Sequence, residues 1–420
     1  MRETEAQRGG VVRCAFRRRP PGPDAWTASP FSHRHEKGLR GLFAAAMECT
    51  VPKQRLSWFQ PGETEMAADP ASTNPKPPGL LERLKTGTVV CAEGYLFELE
   101  RRGYLQAGAY VPEAVLENPE VVRRLHEDFV HAGSDVVEAF TYYAHRQKLK
   151  VIGREAILED MNRQALRIAR EVADRHGCLM AGDICNTNAY EAEDKSTHAA
   201  VRAMFEEQVG WAIEEKADYL IAETIDWLGE AEIALDVMKR AGIPAVVTLS
   251  VHREEKFFDG VDVIDAVKRL EDAGADVVGL NCQRGPATMM PIIRRIRKAV
   301  SCHVAALPVP YRTTEAEPTF QTLTDPVCSC IPGSRPFPTA LDPFTCNRYE
   351  CAEFARECLD LGVRYIGLCC GAGPHHIRAV AEAIGRVTPA SRYSPDMSRH
   401  AFFGTNAAIP ERYRKRVAEI

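Results

Sequence analysis

From residue 80 onward, the chain alternates between short apolar runs and longer stretches with the spacing of amphipathic helices. The apolar runs are rich in Val, Ile and Leu and occupy residues 88–94, 135–142, 179–186, 218–225, 244–250, 276–282, 303–309 and 365–371. Near-continuous apolar runs of this length are typical of parallel strands that are buried on both faces. The pattern therefore predicts eight strands separated by helices.

One of the intervening stretches shows how the helices are predicted. Asn118 occupies the capping position, Pro119 occupies the first helical position, and Val121, Leu125 and Phe129 are spaced to face inward. Each of four such helices is followed by a glycine and then by a strand within about three residues, as the left-handed end of a helix requires. These glycines are Gly133, Gly242, Gly274 and Gly362.

Eight strands that alternate with helices fit an α/β fold of the TIM (β/α)8 barrel type. An open, doubly wound sheet produces the same alternation, but it would usually show a G-x-G-x-x-G turn after the first strand, and the chain has none there. The rhythm breaks between Pro310 and Cys346, where Pro and turn-forming residues separate the seventh strand from its helix. We interpret this segment as a loop on the active face and a lid.

Residues 1–77 differ from the rest, because they are rich in Arg, Pro, Gly and Ser and show no sustained period. Such composition predicts a disordered N-terminal extension. Met66 has the context of a natural start, so residues 1–65 are a dispensable or wrongly assigned extension, a targeting segment or a tail of unknown role. We expect the barrel to span residues 78–390 and a short C-terminal tail to span residues 391–420.

The composition excludes several classes of protein. The 420 residues are 45% hydrophobic and 26% charged with a net charge of −5, so nothing electrostatic points to nucleic acid. No apolar stretch reaches the length of about 18 residues that a membrane span needs. The fourteen cysteines are too sparse for a disulfide scaffold, and the start has no secretory signal. We therefore expect a reducing compartment, the cytoplasm.

Three cysteines lie at the carboxyl ends of predicted strands. Cys282 ends the sixth strand, and Cys369 and Cys370 end the eighth, with Gly367 and Gly371 on either side of the pair. At about 4.8 Å per strand, the two strand ends lie about 10 Å apart in a barrel. Three thiolates with one open position form a zinc site of the catalytic type, and the glycines allow adjacent sulfurs to turn toward one ion.

Other readings of the cysteines stay open at this point. The three could be small buried residues, or the adjacent pair could form a vicinal disulfide. A second metal site is conceivable in or beside the long loop, at Cys328, Cys330, Cys346 and Cys351.

Charged and aromatic residues gather at the same predicted end of the barrel. Glu223 lies in an apolar run, so its carboxylate needs a cation or a donor, which is either a substrate amine or an internal Arg or Lys. Aromatic rings near the strand ends are either packing residues or a cage for a quaternary ammonium group. These aromatic residues are Tyr95, Tyr110, Phe140, Tyr142 and Tyr143.

The segments "GLNC" at 279–282 and "GLCCG" at 367–371 resemble the zinc motifs of the homocysteine S-methyltransferase family. The resemblance extends over residues 79–390 and is strongest, through "LFELERRGYLQAGAYVPEAVLENPEVVRRLHEDFVHAG", to the branch that takes its methyl group from betaine. It implies a TIM barrel in which Cys282, Cys369 and Cys370 bind Zn²⁺ and the homocysteine sulfur takes the open position.

The resemblance also implies roles for individual residues. Cys282, Cys369, Cys370 and Glu223 would be catalytic, and Glu223 would hold the homocysteine amine. The residues implied in substrate binding are Glu93, Gly94, Tyr110, Phe140, Tyr143, Glu223, Thr224 and Asn281. Where the betaine enzymes end their first strand in Asp-Gly-Gly, this chain has Ala92, Glu93 and Gly94. Glu93 therefore either replaces the acid or marks a different methyl donor.

The implied function is zinc-dependent transfer of a methyl group from betaine to the thiolate of homocysteine, which gives methionine and dimethylglycine. The alternatives are S-methylmethionine or another onium compound as donor, or a non-catalytic relative that binds zinc or homocysteine. The expected partners are these small molecules, without nucleic acid or membrane. A homo-oligomer is possible, although the betaine enzymes build theirs with a longer C-terminal arm.

Overall fold

The protein folds as a closed barrel of parallel strands. The computed structural model describes residues 77–417, and within them each of eight strands pairs with the next while the last pairs with the first. The strands are β1 (Val89–Ala92), β2 (Val136–Glu138), β3 (Leu179–Cys185), β4 (Tyr219–Ile225), β5 (Ala245–Leu249), β6 (Val277–Asn281), β7 (His303–Leu307) and β8 (Tyr365–Leu368). The predicted TIM barrel and its eight strands are confirmed. The predicted disordered extension lies outside the described residues, and the domain boundaries stay predictions.

Helices connect the strands and surround the barrel. Within residues 77–417 they are α1 (Leu80–Thr86), α2 (Tyr95–Arg101), α3 (Ala114–Glu117), α4 (Pro119–Ala132), α5 (Arg146–Val151), α6 (Leu158–His176), α7 (Lys195–Glu214), α8 (Leu228–Arg240), α9 (Val263–Asp272), α10 (Pro286–Ala299), α11 (Arg348–Asp360), α12 (Pro374–Ala383) and α13 (Glu411–Val417). None of the described helices combines the length and the apolar character needed to cross a membrane.

The helix predicted after Asn118 is α4, and its inward face is turned by one residue from the prediction. Val122, Leu125 and Phe129 are fully buried, whereas Val121 is only partly buried. The difference arises because α4 packs against α6 and α12 as well as against the strands, which a single-face pattern does not include. The four predicted helix-ending glycines all have positive φ: Gly133, Gly242, Gly274 and Gly362.

The amino-terminal end of the barrel is closed by apolar packing. Leu80 and Leu84 of α1 join a buried cluster with the inward side chains of the strands. Inside this cluster, the hydroxyls of Tyr219 and Tyr365 lie 2.7 Å apart. Because this end is filled, the polar side chains of the barrel interior gather at the opposite, carboxyl-terminal end, where a TIM barrel holds its active site.

The long segment between β7 and α11 reaches this carboxyl-terminal end. The backbone N–H of Phe320 donates to the carbonyl of Gln283, the residue after Cys282, over 2.8 Å. The Phe320 ring packs against Phe97 and Tyr311, with ring centroids 6.1 and 5.9 Å away. The segment predicted to be a lid therefore contacts the end of β6 directly.

Candidate active site

Three sulfur atoms meet at the carboxyl ends of β6 and β8. The Sγ atoms of Cys282, Cys369 and Cys370 all lie within 4.8 Å of one another. The backbone N–H of Cys282 donates to the carbonyl of Leu307, and that of Cys369 donates to the carbonyl of Pro308, each over 3.0 Å. The end of β7 therefore holds both strand ends in place, so residues distant in sequence share one site.

The backbone at this site adopts conformations that most residues avoid. Cys282 and Gln283 have φ values of 58° and 56°, and Thr224 at the end of β4 has a φ of 55°. A non-glycine residue in the left-handed region costs about 1–2 kcal/mol. Such residues persist where the surrounding structure holds them, and they concentrate at functional sites.

A glycine makes the turn after the cysteine pair possible. Gly371 has a φ of 91°, and a Cβ at this position would lie 2.1 Å from the Tyr311 hydroxyl oxygen. Arg101 holds the turn, because its guanidinium donates to the Gly371 carbonyl over 3.1 Å and to the Tyr311 hydroxyl over 2.9 Å. The sequence-based expectation that Gly371 permits the turn has a steric basis here.

The three thiols interact electrostatically as a group. Hydrogen bonds from Cys369 and Cys370 lower the pKa of Cys282 well below its ordinary value. Burial raises the pKa of Cys369, and the hydrogen bond to Cys282 raises that of Cys370. The cluster therefore favours one thiolate that accepts from two thiols. Three convergent sulfurs of this kind are the donor set that a tetrahedral zinc ion takes, with one position left for another ligand.

Asn281 connects the sulfur cluster to the carboxylates. Its Nδ2 donates to Oε2 of Glu223 and to Oγ1 of Thr224, each over 2.8 Å, and lies 3.8 Å from Sγ of Cys369. Its Oδ1 accepts from the backbone N–H of Thr224 over 2.9 Å, which sets the orientation of the amide. The Asn281 side chain is fully buried, so it fixes these groups in one arrangement.

Four buried carboxylates line the interior of the barrel below the sulfurs. They belong to Glu93, Glu138, Asp183 and Glu223, each at most 5% exposed. Burial is the main cause that raises the pKa of Glu93 and of Asp183 to about 8 and raises the pKa of Glu138 and Glu223. Oε1 of Glu93 and Oδ1 of Asp183 have no hydrogen-bond partner.

A narrow cavity of about 20 Å³ lies between the carboxylates and the sulfurs. Its walls include the four carboxylates together with the side chains of Tyr95, Phe140, Tyr142, Thr224, Cys369 and Cys370. This volume holds about one water molecule. The cavity would therefore have to widen before an organic molecule could enter it.

Four residues expected in substrate binding lie outside the cavity wall. One is Asn281, which reaches the wall through its hydrogen bonds to Glu223 and Thr224. Tyr143 contacts Tyr142, with ring centroids 4.3 Å apart, and Tyr110 packs against Phe97 at 5.8 Å. Gly94 serves close packing, because a Cβ there would lie 2.0 Å from the Ala372 carbonyl oxygen. Tyr143, Tyr110 and Gly94 stay candidates only in a more open form of the site.

The four cysteines in or beside the long loop do not form a second metal centre. Cys328 and Cys330 are joined by a disulfide, which removes both as metal ligands. Cys346 and Cys351 are buried free thiols outside the described clusters that could hold an ion. The second metal site considered at Cys328, Cys330, Cys346 and Cys351 is therefore not present in the structure of these residues.

Sequence reasoning missed one wall residue and gave another no role. Glu138 ends β2 inside the apolar run 135–142, and Asp183 lies within β3. Both are acids in otherwise apolar strands, which is the same signal that singled out Glu223. Applied to every strand, that signal would have found them.

The amino-acid sequence of this chain is similar to those of known proteins. Residues 91–384 match the model of the family described as homocysteine S-methyltransferase. The chain is 38% identical over 319 residues to betaine–homocysteine S-methyltransferase 1 of Danio rerio, covering 73% of this chain and 75% of that protein. It is 36% identical over 324 residues to S-methylmethionine–homocysteine S-methyltransferase of Pongo abelii, covering 74% and 84%.

Among solved structures, the fold is similar to that of the metallated homocysteine methyltransferase MmuM from Escherichia coli. The TM-score is 0.56 at 19% sequence identity, and the match covers 71% of this chain and 96% of the other. At this level of identity, the likeness concerns the barrel alone.

Proposed function

Because the chain belongs to the homocysteine S-methyltransferase family, we propose that it catalyses the zinc-dependent transfer of a methyl group from betaine to the sulfur of homocysteine. The products are methionine and dimethylglycine. The observation that carries this proposal is the convergence of Cys282, Cys369 and Cys370, whose sulfurs lie within 4.8 Å of one another beside Glu223.

The three cysteines are the residues that would hold zinc. When bound, the ion would supply a Lewis-acid position that lowers the pKa of the homocysteine thiol and makes its thiolate available. The chain provides the sulfurs on rigid strand ends that backbone hydrogen bonds to Leu307 and Pro308 hold together. These hydrogen bonds would keep the three sulfurs at fixed positions around a bound ion.

Glu223 is the residue that binds the homocysteine ammonium group in this proposal. Its Oε2 accepts a hydrogen bond from Asn281, and its carboxylate shares the cavity wall with Cys369 and Cys370. The carboxylate is buried without an ion-pair partner in the described chain, so a substrate ammonium would satisfy it. Asn281 and Thr224 orient this carboxylate relative to the sulfurs.

The donor is expected to bind against the aromatic part of the wall. Tyr95, Phe140 and Tyr142 line the cavity, and aromatic faces attract a quaternary ammonium group through cation–π interaction. Their apolar surface also excludes water from the methyl group. The remaining task is to align the thiolate with the methyl carbon, because holding two reactants at near-attack distance supplies much of the rate enhancement.

A sulfonium donor is the second candidate for the same site. The relative from Pongo abelii, whose name specifies S-methylmethionine, is 36% identical to this chain, close to the 38% of the betaine enzyme from Danio rerio. A sulfonium cation would use the same aromatic wall, and Glu93 would lie beside it. We propose the cytoplasm, because ten cysteines of the described residues are free, which fits a reducing compartment; the Cys328–Cys330 disulfide is the one feature that does not favour it.

Assays of the purified protein with homocysteine and one donor at a time test the proposal. We expect methionine and dimethylglycine from betaine at a kcat/KM well above that for S-methylmethionine. Methionine formed only from the sulfonium donor would shift the proposal to the second candidate. A zinc-loaded protein that forms no methionine from either donor would contradict both candidate functions.

A further inference from the structure

The turns that follow the two cysteine segments meet at one residue, Tyr311. Tyr311 comes after β7 and is fully buried. A Cβ at Gly371, directly after Cys370, would lie 2.1 Å from the Tyr311 hydroxyl oxygen. A Cβ at Gly285, in the turn after Cys282, would lie 1.9 Å from the Tyr311 carbonyl oxygen. Tyr311 therefore packs directly against the backbone that follows both parts of the sulfur cluster.

Arg101 bonds to Tyr311 and to the turn after the cysteine pair at the same time. Its Nη1 donates to the Gly371 carbonyl over 3.1 Å, and its Nη2 donates to the Tyr311 hydroxyl over 2.9 Å. Gly371 has a φ of 91°, and a glycine has more backbone freedom than any other residue. The planar guanidinium presents its donors in a fixed fork, so it restricts this freedom. The two bonds therefore limit how the adjacent cysteines can turn relative to Tyr311.

Arg101 is the last residue of α2, a helix that is packed into the core. Leu99 is fully buried, and the ring centroid of Tyr95 lies 4.7 Å from that of His126 and 5.2 Å from that of Phe129. Tyr95 also lines the cavity between the carboxylates and the sulfurs. Arg101 therefore connects the cysteine pair to a packed helix that forms part of the cavity wall.

We propose that Arg101 is a positioning residue for the sulfur cluster, acting through Gly371 and Tyr311. It keeps the adjacent cysteines turned toward Cys282, so that all three sulfurs can reach one zinc ion. The inference rests on the zinc site of the proposed function and is independent of the methyl donor. Interactions that orient the ligands of a metal typically contribute about 10–100-fold to metal affinity. Loss of Arg101 should therefore weaken zinc binding although the three cysteines remain.

Arg102 offers a matched control for Arg101. The side chains of Arg101 and Arg102 are 30% and 33% exposed, and both form an ion pair with Glu98. The other ion pair of Arg102 is with Asp128, and none of its described contacts is with the turn after the cysteine pair. Exposed ion pairs contribute little, so the loss of Arg102 should have little effect on zinc binding. A difference between variants of the two residues then comes from the bonds of Arg101 to the turn.

Metal binding by the purified full-length protein tests the proposal. Zinc affinity is measured by competition with a chelator, and Co²⁺ in place of zinc reports the geometry of the thiolates through its absorption spectrum. We expect Arg101→Gln to weaken zinc binding by about tenfold or more and to alter the Co²⁺ spectrum, whereas Arg102→Gln changes neither. Tyr311→Phe removes one acceptor of Arg101 and keeps the ring, so it should have a smaller effect of the same kind. The combined variant should lose less affinity than the product of the two single losses, because both substitutions remove the same contact.

Equal zinc affinities and equal Co²⁺ spectra in Arg101→Gln and Arg102→Gln would overturn the proposal. Single losses that multiply fully in the combined variant would also overturn it, because Arg101 would then act independently of Tyr311. If Arg101→Gln fails to fold, Tyr311→Phe decides, and an unchanged affinity and spectrum in that variant would contradict the proposal. A wild-type protein that binds neither zinc nor Co²⁺ would overturn the zinc site of the proposed function together with this inference. A wild-type protein that binds both metals, with an unchanged Arg101 variant, would overturn this inference alone.

Discussion

The side-chain nitrogen of Asn281 lies 2.8 Å from Oε2 of Glu223, which ties the residue before Cys282 to the carboxylate proposed to bind homocysteine. The same nitrogen donates to Oγ1 of Thr224, and the backbone N–H of Thr224 donates to the side-chain Oδ1 of Asn281. The buried side-chain amide of Asn281 thus fixes the end of β4 relative to the end of β6. The position of the Glu223 carboxylate relative to the sulfur cluster is therefore set by Asn281.

Replacing Asn281 should weaken homocysteine binding without loss of zinc. Asn281→Ala removes the hydrogen bond to the Glu223 carboxylate, which is worth about 1.5–3 kcal/mol, so kcat/KM for homocysteine should fall by about 10- to 100-fold. Steady-state kinetics with a metal analysis check this. Asn162→Ala is the control, because Asn162 is equally buried but bonds only to the carbonyls of Ala144 and Leu158. It should lower stability and leave KM unchanged, and equal effects in both variants would argue against the proposed role of Asn281.

The aromatic wall should affect the donor and not homocysteine. Tyr142→Leu removes an aromatic face, and cation–π attraction of about 0.5–2 kcal/mol predicts a rise of about 2- to 30-fold in KM for betaine. Tyr142→Phe keeps the face and should behave like the wild type. The measurement is KM for each substrate at saturation of the other. A rise in both KM values, or a defect in the Phe variant, would show that Tyr142 acts by other means.

Gly371 should be intolerant of a side chain for two separable reasons. Gly371→Ala places a residue at positive φ and directs Cβ to within 2.1 Å of the Tyr311 hydroxyl oxygen. Gly362→Ala has positive φ as well but open space around its Cβ, so it reports the conformational cost alone. We expect the Gly371 variant to lose about 1–3 kcal/mol more in unfolding free energy and to lose zinc. Denaturant unfolding and metal analysis of both variants decide this, and equal losses would contradict it.

A buried histidine should make the fold sensitive to acid. Burial lowers the pKa of His126 from 6.5 to about 3, and the nearby Arg123 adds to the effect; both ring nitrogens lack partners. Between the ordinary pKa and the folded one, the unfolded chain binds more protons than the folded chain. The free energy of unfolding therefore falls as the pH falls through this window, by at most about 1.4 kcal/mol per pH unit from this residue.

His126→Phe should remove that part of the acid sensitivity. The ring fits beside Tyr95, whose centroid lies 4.7 Å away, and no buried nitrogen is left without a partner. The stabilisation relative to wild type should be larger at about pH 5 than at about pH 8. Denaturant unfolding at both values measures it. His131→Phe on the same helix is exposed and should show no such difference, and an equal gain at both pH values would refute the effect.

The sequence was sufficient for the strands because apolar runs of fixed length and terminal glycines reflect local physics. The proximity of Cys282, Cys369 and Cys370 could be predicted from the sequence because the order of strands in a barrel is fixed. The wall of the cavity was harder to predict. Whether Tyr142 or Tyr143 faces inward depends on the backbone conformation after β2. Tyr143 adopts a φ of 66° there, and a left-handed conformation at a residue other than glycine cannot be predicted from the sequence.

Glu138 was missed, and Asp183 was given no role, for a different reason. Glu138 and Asp183 lie inside apolar runs, where single polar residues are easily attributed to local partners. That the two carboxylates line one cavity becomes evident only when the three neighbouring strands β2, β3 and β4 are placed side by side. The disulfide between Cys328 and Cys330 likewise depends on the conformation of the loop, which no periodic pattern encodes.

We propose that the three sulfurs hold the zinc on which methyl transfer depends. Zinc content and betaine-dependent methionine formation should therefore be compared in Cys282→Ala and Cys358→Ala. Cys358 is a fully buried residue of α11 whose sulfur contacts Met290 of α10. We expect Cys282→Ala to lose zinc and activity together, whereas Cys358→Ala should keep both. Full zinc content or sustained methionine formation in Cys282→Ala would contradict it.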